Sequence, residues 1–389
     1  MDVPTLAELR TDAGRALLAE AVESYAPEDA IGLGSRLRRT HPPHLVAAAV
    51  TQADLRRRAR EKFDRADADR MFFTVDGLEQ ATRSSVAVHR ASRIRTADGP
   101  IADLCCGIGG DLIALVRAGL PVTGADNDPL TVAVARANID ELHLDAPVVE
   151  ADVTRLDRSQ FAAVTCDPGR RGARGRVFDP DAYRPPWRFV EEVLAGSACV
   201  KVAPGIPHDL VPPGVEAEWV SDGGNVKEAA LWSGTFVRDG IRRRATLLPA
   251  GATVTNADAP DDATIAAPGR WLVEPDGAVI RAGLVTAVAA DVDGWLIDPQ
   301  IAYVSTDAEP TTSLGRSYAV IDRLPYDLKR LRAYVKARNI GILTIKKRGV
   351  GVQPETLRRQ LRLRGSAEAT IAVTRAAGRA TVLVLQPTR

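Results

Sequence analysis

Asp103-Leu104-Cys105-Cys106-Gly107-Ile108-Gly109-Gly110-Asp111 starts inside the short apolar run Ile101–Leu104 and leads into a stretch with helical patterning. It reads as a strand, a tight turn and a helix start. Glycines in such a turn let the backbone bend sharply and approach a ligand, with the amides of the helix N-terminus facing it. A dinucleotide site would place a third glycine three residues after Gly109, and that position is Leu112. A carboxylate at the strand end, Asp103, is also foreign to a phosphate cradle. It suits a cationic ligand.

Outward from this turn, further short strands are expected at Val122–Asp126, Pro147–Ala151, Ala162–Cys166, Ala198–Val202, Ala217–Val220 and Ala229–Trp232. Helical runs separate the first five, and repeated βα units build a parallel sheet covered on both faces. The last two strands leave no room for a crossover helix and read as a hairpin at the sheet edge. The expectation is a seven-stranded Rossmann-like sheet. Acidic signals end the next three strands as well: Asp126 in Ala125-Asp126-Asn127-Asp128, Asp152 after Glu150-Ala151, and Asp167 in Asp167-Pro168-Gly169-Arg170. Ligands of open α/β sheets bind at these strand ends. Asp126 lies at the spacing from which a carboxylate grips ribose hydroxyls, and Asp152 is placed to bond an adenine amine. Taken singly, the glycine turn could be a plain βα connection and either aspartate a helix cap. Their order and spacing together point to a nucleoside-bearing cofactor.

In these residues the chain resembles the class I S-adenosylmethionine-dependent methyltransferases, over about residues 70–234. Within them it is most similar to the trimethylguanosine synthase type, in which turns like DLCCGIGGD and ADNDP recur. An aromatic segment precedes the first strand in that family, and Met71-Phe72-Phe73-Thr74-Val75 is similar to it. The resemblance implies S-adenosylmethionine as cofactor, with Asp103, Gly107 and Gly109 on its methionine part, Asp126 on the ribose and Asp152 on the adenine. It also implies that Phe73 and Thr74 close over it, although both read equally as core packing. A nicotinamide-dependent enzyme is the alternative for the same fold.

Methyl transfer is an in-line displacement, so such an enzyme chiefly aligns donor and acceptor and excludes water. Family members acting on exocyclic amines often carry Asp/Asn-Pro-Pro-aromatic at the fourth strand end. Here Asp167 and Pro168 match, while Gly169 and Arg170 depart. An arginine plane can stack on a base or grip a phosphate. Methylation of a uracil carbon would call for a cysteine well downstream of this turn, and none lies beyond Cys199. Asp167, Pro168 and Arg170 are therefore the expected catalytic set, with Arg171 on RNA. The loop 169–187 interleaves arginines with Phe178, Tyr183 and Trp187, which suits nucleic acid or a solvated loop with its aromatics packed beneath. Lys201, ending the fifth strand, could face the same cleft.

The 389 residues hold 51 Lys+Arg and 50 Asp+Glu, a net charge of +1. From Arg323 onward there are sixteen Lys/Arg and three acids, so this tail carries +13 and the rest −12. A basic module on an acidic body points to a polyanion. The tail's order of helix, strand, helix and two strands, with Lys346-Lys347-Arg348-Gly349 after the first strand, resembles the THUMP-like domains of RNA-modifying enzymes. That resemblance implies RNA capture, with Lys346, Lys347, Arg348, Arg358 and Arg362 as contacts. The alternative is a basic domain docked on the acidic body.

Four parts are expected: a helical N-terminal region (1–97), the methyltransferase domain (98–242), a linking region rich in Pro, Gly and Asp with short strands (243–322), and the THUMP-like α/β domain (323–389). In the helical region, Arg56, Arg57, Arg58, Arg60, Lys62 and Arg65 read as a solvated face or a polyanion contact. Cys105, Cys106, Cys166 and Cys199 show no zinc-ligand or disulfide spacing and read as reduced, buried residues. No apolar run approaches a membrane span, no metal site is expected, and the expected location is cytoplasmic. The expected activity is methylation of RNA, at a base nitrogen of tRNA or rRNA. A small-molecule or protein acceptor, or a non-catalytic RNA binder retaining the pocket, are the alternatives. Oligomeric state is left open.

Overall fold

The computed structural model describes residues 1–170 and 179–387. The chain divides into two compact units, Met1–Val215 with Ala230–Arg238, and Glu216–Ala229 with Asp239–Arg389.

The first unit begins with helices α1 (Val3–Leu9), α2 (Asp12–Glu23), α3 (Ala30–Leu37), α4 (Pro43–Ala59), α5 (Arg65–Ala68), α6 (Val75–Gln80) and α7 (Ser84–Ile94). Asp2, Thr11 and Thr74 cap α1, α2 and α6 by accepting from the amides of Thr5, Gly14 and Gly77. The buried faces, among them Leu9, Leu17, Val46 and Leu55, share one core with Leu112, Ile113 and Val134 of the α/β part. The arginine run of α4 is satisfied locally. Arg56 turns inward, donating to the carbonyls of Met71 and Arg70 and covering the Phe72 ring at 5.1 Å. Burial lowers its pKa to about 10. Arg57 and Arg60 pair with Asp54 and Asp69.

The α/β part continues as β1 (Ile101–Leu104), α8 (Gly110–Arg117), β2 (Val122–Asp126), α9 (Pro129–Glu141), β3 (Val148–Glu150) and β4 (Ala163–Cys166). A two-residue pair follows, β5 (Gly169–Arg170) with β6 (Tyr183–Arg184), then α10 (Trp187–Leu194) and β7 (Ala198–Val202). β8 (Glu216–Asp222), β9 (Asn225–Trp232), β10 (Arg243–Leu248) and β11 (Ala252–Thr255) complete the sheet. The order is β11-β10-β8-β9-β7-β4-β1-β2-β3, nine strands rather than the seven expected. The hairpin of β8 and β9 does not end the sheet, because β10 pairs in parallel with β8, and β11 antiparallel with β10. The polar positions of β8 explain why. Glu216 and Glu218 are fully buried, and β10 meets them with Arg244 Nε on Glu216 at 2.6 Å and Thr246 Oγ1 on Glu218 at 2.6 Å. Alternating carboxylates that look like an outer face are hydrogen-bonded to the next strand.

The second unit, to which β8, β10 and β11 belong, holds a further sheet of β12 (Trp271–Pro275), β13 (Trp295–Leu296), β14 (Val304–Thr306), β15 (Gly315–Pro325), β16 (Ile340–Lys347), β17 (Ala367–Ala376) and β18 (Arg379–Pro387). Their order is β13-β14-β12-β15-β18-β17-β16. Helices α11 (Gly277–Arg281) and α12 (Val285–Asp291) lie between β12 and β13 in the chain, α13 (Leu328–Ala337) before β16 and α14 (Pro354–Leu361) after it. Leu331, Tyr334 and Leu357 of α13 and α14 pack with Ile345, Ile371 and Val382 of the sheet. Residues 243–322, read from the sequence as a linking region with short strands, hold β10 to β14, most of β15 and helices α11 and α12. Among the described residues no helix is long and apolar enough to cross a membrane, and no group of three or more His, Cys, Asp or Glu could hold a metal ion.

Candidate active site

β1 lies between β2 and β4, parallel to both, so its C-terminal end is flanked by two further strand ends. Asp103 sits there, 3% exposed. Thr165 of β4 donates to its Oδ1 at 2.7 Å, while Oδ2 has no hydrogen-bond partner among the described residues. Burial, with the charge of Asp111 nearby, pushes the Asp103 carboxyl up to about 7. Gly107 and Gly109 take φ values of +57° and +91°, which only glycine adopts freely. A Cβ at Gly107 would meet nothing within 4 Å, so the turn is open on that side.

Asp126, ending β2, braces this turn. Its Oδ2 accepts from the Gly107 amide and its Oδ1 from the Asp128 amide, both at 3.1 Å. Asp152 is exposed beyond β3, and its Oδ1 accepts from the amide and hydroxyl of Thr154, which lowers its pKa. Phe73 is fully buried against Phe63, ring centroids 5.7 Å apart, and Thr74 caps α6. Two residues the sequence did not single out hold this segment to the site. Gln52 clasps the Phe73 backbone, donating to its carbonyl at 2.6 Å and accepting from its amide at 3.0 Å. Asn138, fully buried, accepts from the Phe72 amide at 2.7 Å and donates to the carbonyls of Phe72 and Ile108 at 3.1 and 2.9 Å.

On the acceptor side the Asp167 amide donates to the Leu104 carbonyl at 3.2 Å, which draws the turn toward β1. Its Oδ2 receives a hydrogen bond from Lys201 Nζ at 2.6 Å. The same Nζ lies 3.1 Å from Thr82 Oγ1, and that hydroxyl donates to Asp111 Oδ2 at 2.7 Å. Arg90, buried, pairs with Asp111 Oδ1. Burial alone would raise the Asp111 carboxyl, but Arg90, Lys201 and Thr82 hold it below the ordinary range. Thr82, Asp111 and Arg90 were missed in the sequence; Asp111 closes the quoted turn and was the available signal. Pro168 is buried beside Asp167. The backbone of Gly169–Arg170 pairs with β6, whereas the Arg170 side chain, Arg171 and Phe178 lie outside the described residues. Tyr183 is buried, its hydroxyl accepting from the Ala203 amide at 3.0 Å, so it is a packing residue. Cys106, Cys166 and Cys199 are buried, and burial pushes the Cys106 thiol up.

In the second unit, Glu274 engages two of the expected RNA contacts. Lys346 Nζ donates to its Oε2 at 2.6 Å, and Arg348 lies 3.7 Å from its Oε1. Lys346 also lies over the Tyr318 ring and Arg348 over Tyr303. Lys347 is exposed. Arg358 is exposed, with Nε donating to the Leu343 carbonyl at 3.1 Å. α14 stops at Leu361, and Arg362 follows it in left-handed conformation (φ 52°). The helical i, i+4 face expected of Arg358 and Arg362 is therefore not formed.

The family described as a methyltransferase domain matches residues 101–169, and the one described as THUMP domain-like matches 315–387. A domain of unknown function matches 2–59. Two Mycobacterium tuberculosis proteins, from strains CDC 1551 / Oshkosh and ATCC 25618 / H37Rv, are both named uncharacterized S-adenosylmethionine-dependent methyltransferases. Each is 39% identical to this chain over 329 residues, spanning 82% of it and 90% of the relative. A crystal structure from Porphyromonas gingivalis W83, titled as a candidate methyltransferase, shares the fold with a TM-score of 0.76 at 22% identity, covering 95% of this chain and 96% of that one.

Proposed function

The chain belongs to the class I S-adenosylmethionine-dependent methyltransferases, and from that premise we propose that it methylates RNA, at a base nitrogen of tRNA or rRNA, in the cytoplasm. Its methyl donor is S-adenosylmethionine. The residues present fit that group: Asp103 Oδ2 is a buried acceptor lacking a donor among the described residues, and the Gly107 turn is open where a side chain would fill it. Asp103, Gly107 and Gly109 would hold the methionine part, Asp126 the ribose and Asp152 the adenine amine, with Phe73 and Thr74 bordering the pocket. When bound, the cofactor would supply an electrophilic methyl for a nucleophile's lone pair. A trimethylguanosine synthase kinship remains supported by the DLCCGIGGD and ADNDP turns alone.

Asp167 carries the reading. Lys201 occupies its Oδ2, and Oδ1 has no partner among the described residues. A carboxylate oxygen so placed accepts an acceptor N–H, turns the nitrogen lone pair toward the methyl and receives the proton released. Pro168 fixes the turn, and Arg170 and Arg171 contact base or phosphate. RNA as acceptor is supported by the THUMP-like match and by the charge of the tail, whose exposed Lys347, Arg358 and Arg362 suit phosphate.

The test is transfer of labelled methyl from S-adenosylmethionine to total RNA of a strain lacking this gene. Asp167→Ala is expected to abolish label in RNA while S-adenosylhomocysteine still binds. Retained turnover removes Asp167 from the mechanism. Absence of label in RNA with cofactor bound redirects the search to a protein or small-molecule acceptor, or to a silent binder.

A further inference from the structure

We infer that Lys201 is a positioning residue for the transfer: it fixes Asp167 by Oδ2 so that Oδ1 is presented to the acceptor. The inference rests on the reading of Asp167 given above. β4 and β7 are neighbouring parallel strands with Cys166 opposite Val200, so the next residue of each, Asp167 and Lys201, emerge side by side at the strand ends. Their side chains meet at 2.6 Å, a short charge-assisted contact.

The ammonium is itself held from behind. Thr82 commits its hydroxyl hydrogen to Asp111, which leaves an oxygen lone pair toward Lys201. Asp111 is fixed in turn by buried Arg90. Charges therefore alternate along Arg90, Asp111, Lys201 and Asp167, and each member is oriented by the one before. This chain starts on α7, crosses the first turn of α8 and ends at the acceptor carboxylate. The Lys201 side chain is 17% exposed and that of Asp167 37%, so the chain opens to solvent only at its carboxylate end. A carboxylate anchored through one oxygen is restrained in its swing, and alignment is what the protein contributes to an in-line displacement.

Lys201→Ala and Lys201→Arg, with Asp167→Asn alongside, test this. Lys201→Ala is expected to lower kcat by about 100-fold, the scale of a misplaced group. S-adenosylhomocysteine affinity and the KM for RNA should stay within about threefold. Propylammonium should restore turnover of Lys201→Ala in proportion to its concentration, and tetramethylammonium, which has no N–H, should not. Lys201→Arg, keeping a cation with donors, should exceed Lys201→Ala in kcat. Equal response to both ammonium ions, or a wild-type kcat in Lys201→Ala, overturns the inference. If Lys201→Ala no longer binds S-adenosylhomocysteine, Lys201→Arg decides: it must bind it and turn over below wild type, and a wild-type kcat there counts against a positioning role. Turnover undiminished in Asp167→Asn instead brings down the reading of Asp167.

Discussion

The Thr165 hydroxyl donates to Asp103 Oδ1 at 2.7 Å across neighbouring parallel strands, and Oδ2 of the same buried carboxyl is left without a partner among the described residues. Burial and the Asp111 charge push that carboxyl up to about 7 in the free protein. An amino cation placed on Oδ2 favours the ionised form, so below about pH 7 binding must expel a proton. Affinity for S-adenosylhomocysteine, which carries that amino group, should rise between pH 6 and 7 by up to about tenfold, then level off. Asp103→Asn should bind weakly with a flat profile. For the free fold the sign is opposite: the raised carboxyl contributes stability at low pH that is lost as pH rises through about 7. Titration calorimetry in two buffers of different ionisation enthalpy reads the proton directly, and proton-free binding at pH 6 would exclude Asp103 as the site of the cation.

Gly107 separates backbone strain from ligand room. Alanine there must adopt a φ of +57°, a cost of about 1 kcal/mol, but its Cβ would meet no protein atom within 4 Å. Gly107→Ala should melt only a few degrees lower yet lose at least about tenfold in S-adenosylhomocysteine affinity, because the added methyl occupies the cofactor's side of the turn. A variant with lowered melting and unchanged affinity would show that the cofactor does not approach this turn.

Asn138 spans two parts of the site with one amide, bonding both backbone groups of Phe72 and the carbonyl of Ile108 inside the glycine turn. Asn138→Leu removes all three bonds and leaves the Phe72 amide and two carbonyls unsatisfied in a dry interior. The expected loss is about 2–4 kcal/mol, read by denaturant unfolding. Cofactor affinity should fall with it, since Ile108 lies between Gly107 and Gly109 of the turn. Loss of stability alone would confine Asn138 to the core.

What the sequence disclosed and what it hid follow from where the deciding contacts lie. The glycine turn and the acids at Asp103, Asp126 and Asp152 are local signals, because a strand end, a tight turn and a helix start are written in consecutive residues. The chain from Arg90 to Asp167 draws on separated segments and has no local signature. β10 was hidden for another reason: Arg244 and Thr246 look solvated until set against buried Glu216 and Glu218 on the neighbouring strand. Phe73 shows the converse. Its aromatic ring read equally as a lid or as core packing, and contacts distant in sequence, with Phe63 and Gln52, fix where it lies.

Lys346 and Lys347 are adjacent in sequence and should behave differently. Lys346 is tied to Glu274 at 2.6 Å; burial opposes its charge, but the Glu274 hydrogen bond raises its pKa above the ordinary value. Lys346→Met leaves Glu274 with the Tyr318 hydroxyl at 3.3 Å and Arg348 at 3.7 Å but no close cation, so its effect should be on folding, with a lower melting temperature and little change in the salt dependence of RNA binding. Lys347 is exposed, as is Arg362 beyond the end of α14. Lys347→Gln with Arg362→Gln should weaken RNA binding and flatten the slope of log affinity against log salt by about 0.7 to 0.9 for each phosphate that is no longer neutralised. Binding to RNA measured at several salt concentrations separates the two cases. A slope that changes with Lys346→Met and not with the double variant would place the phosphates on the Glu274 side of β16 and remove Lys347 and Arg362 from the RNA surface.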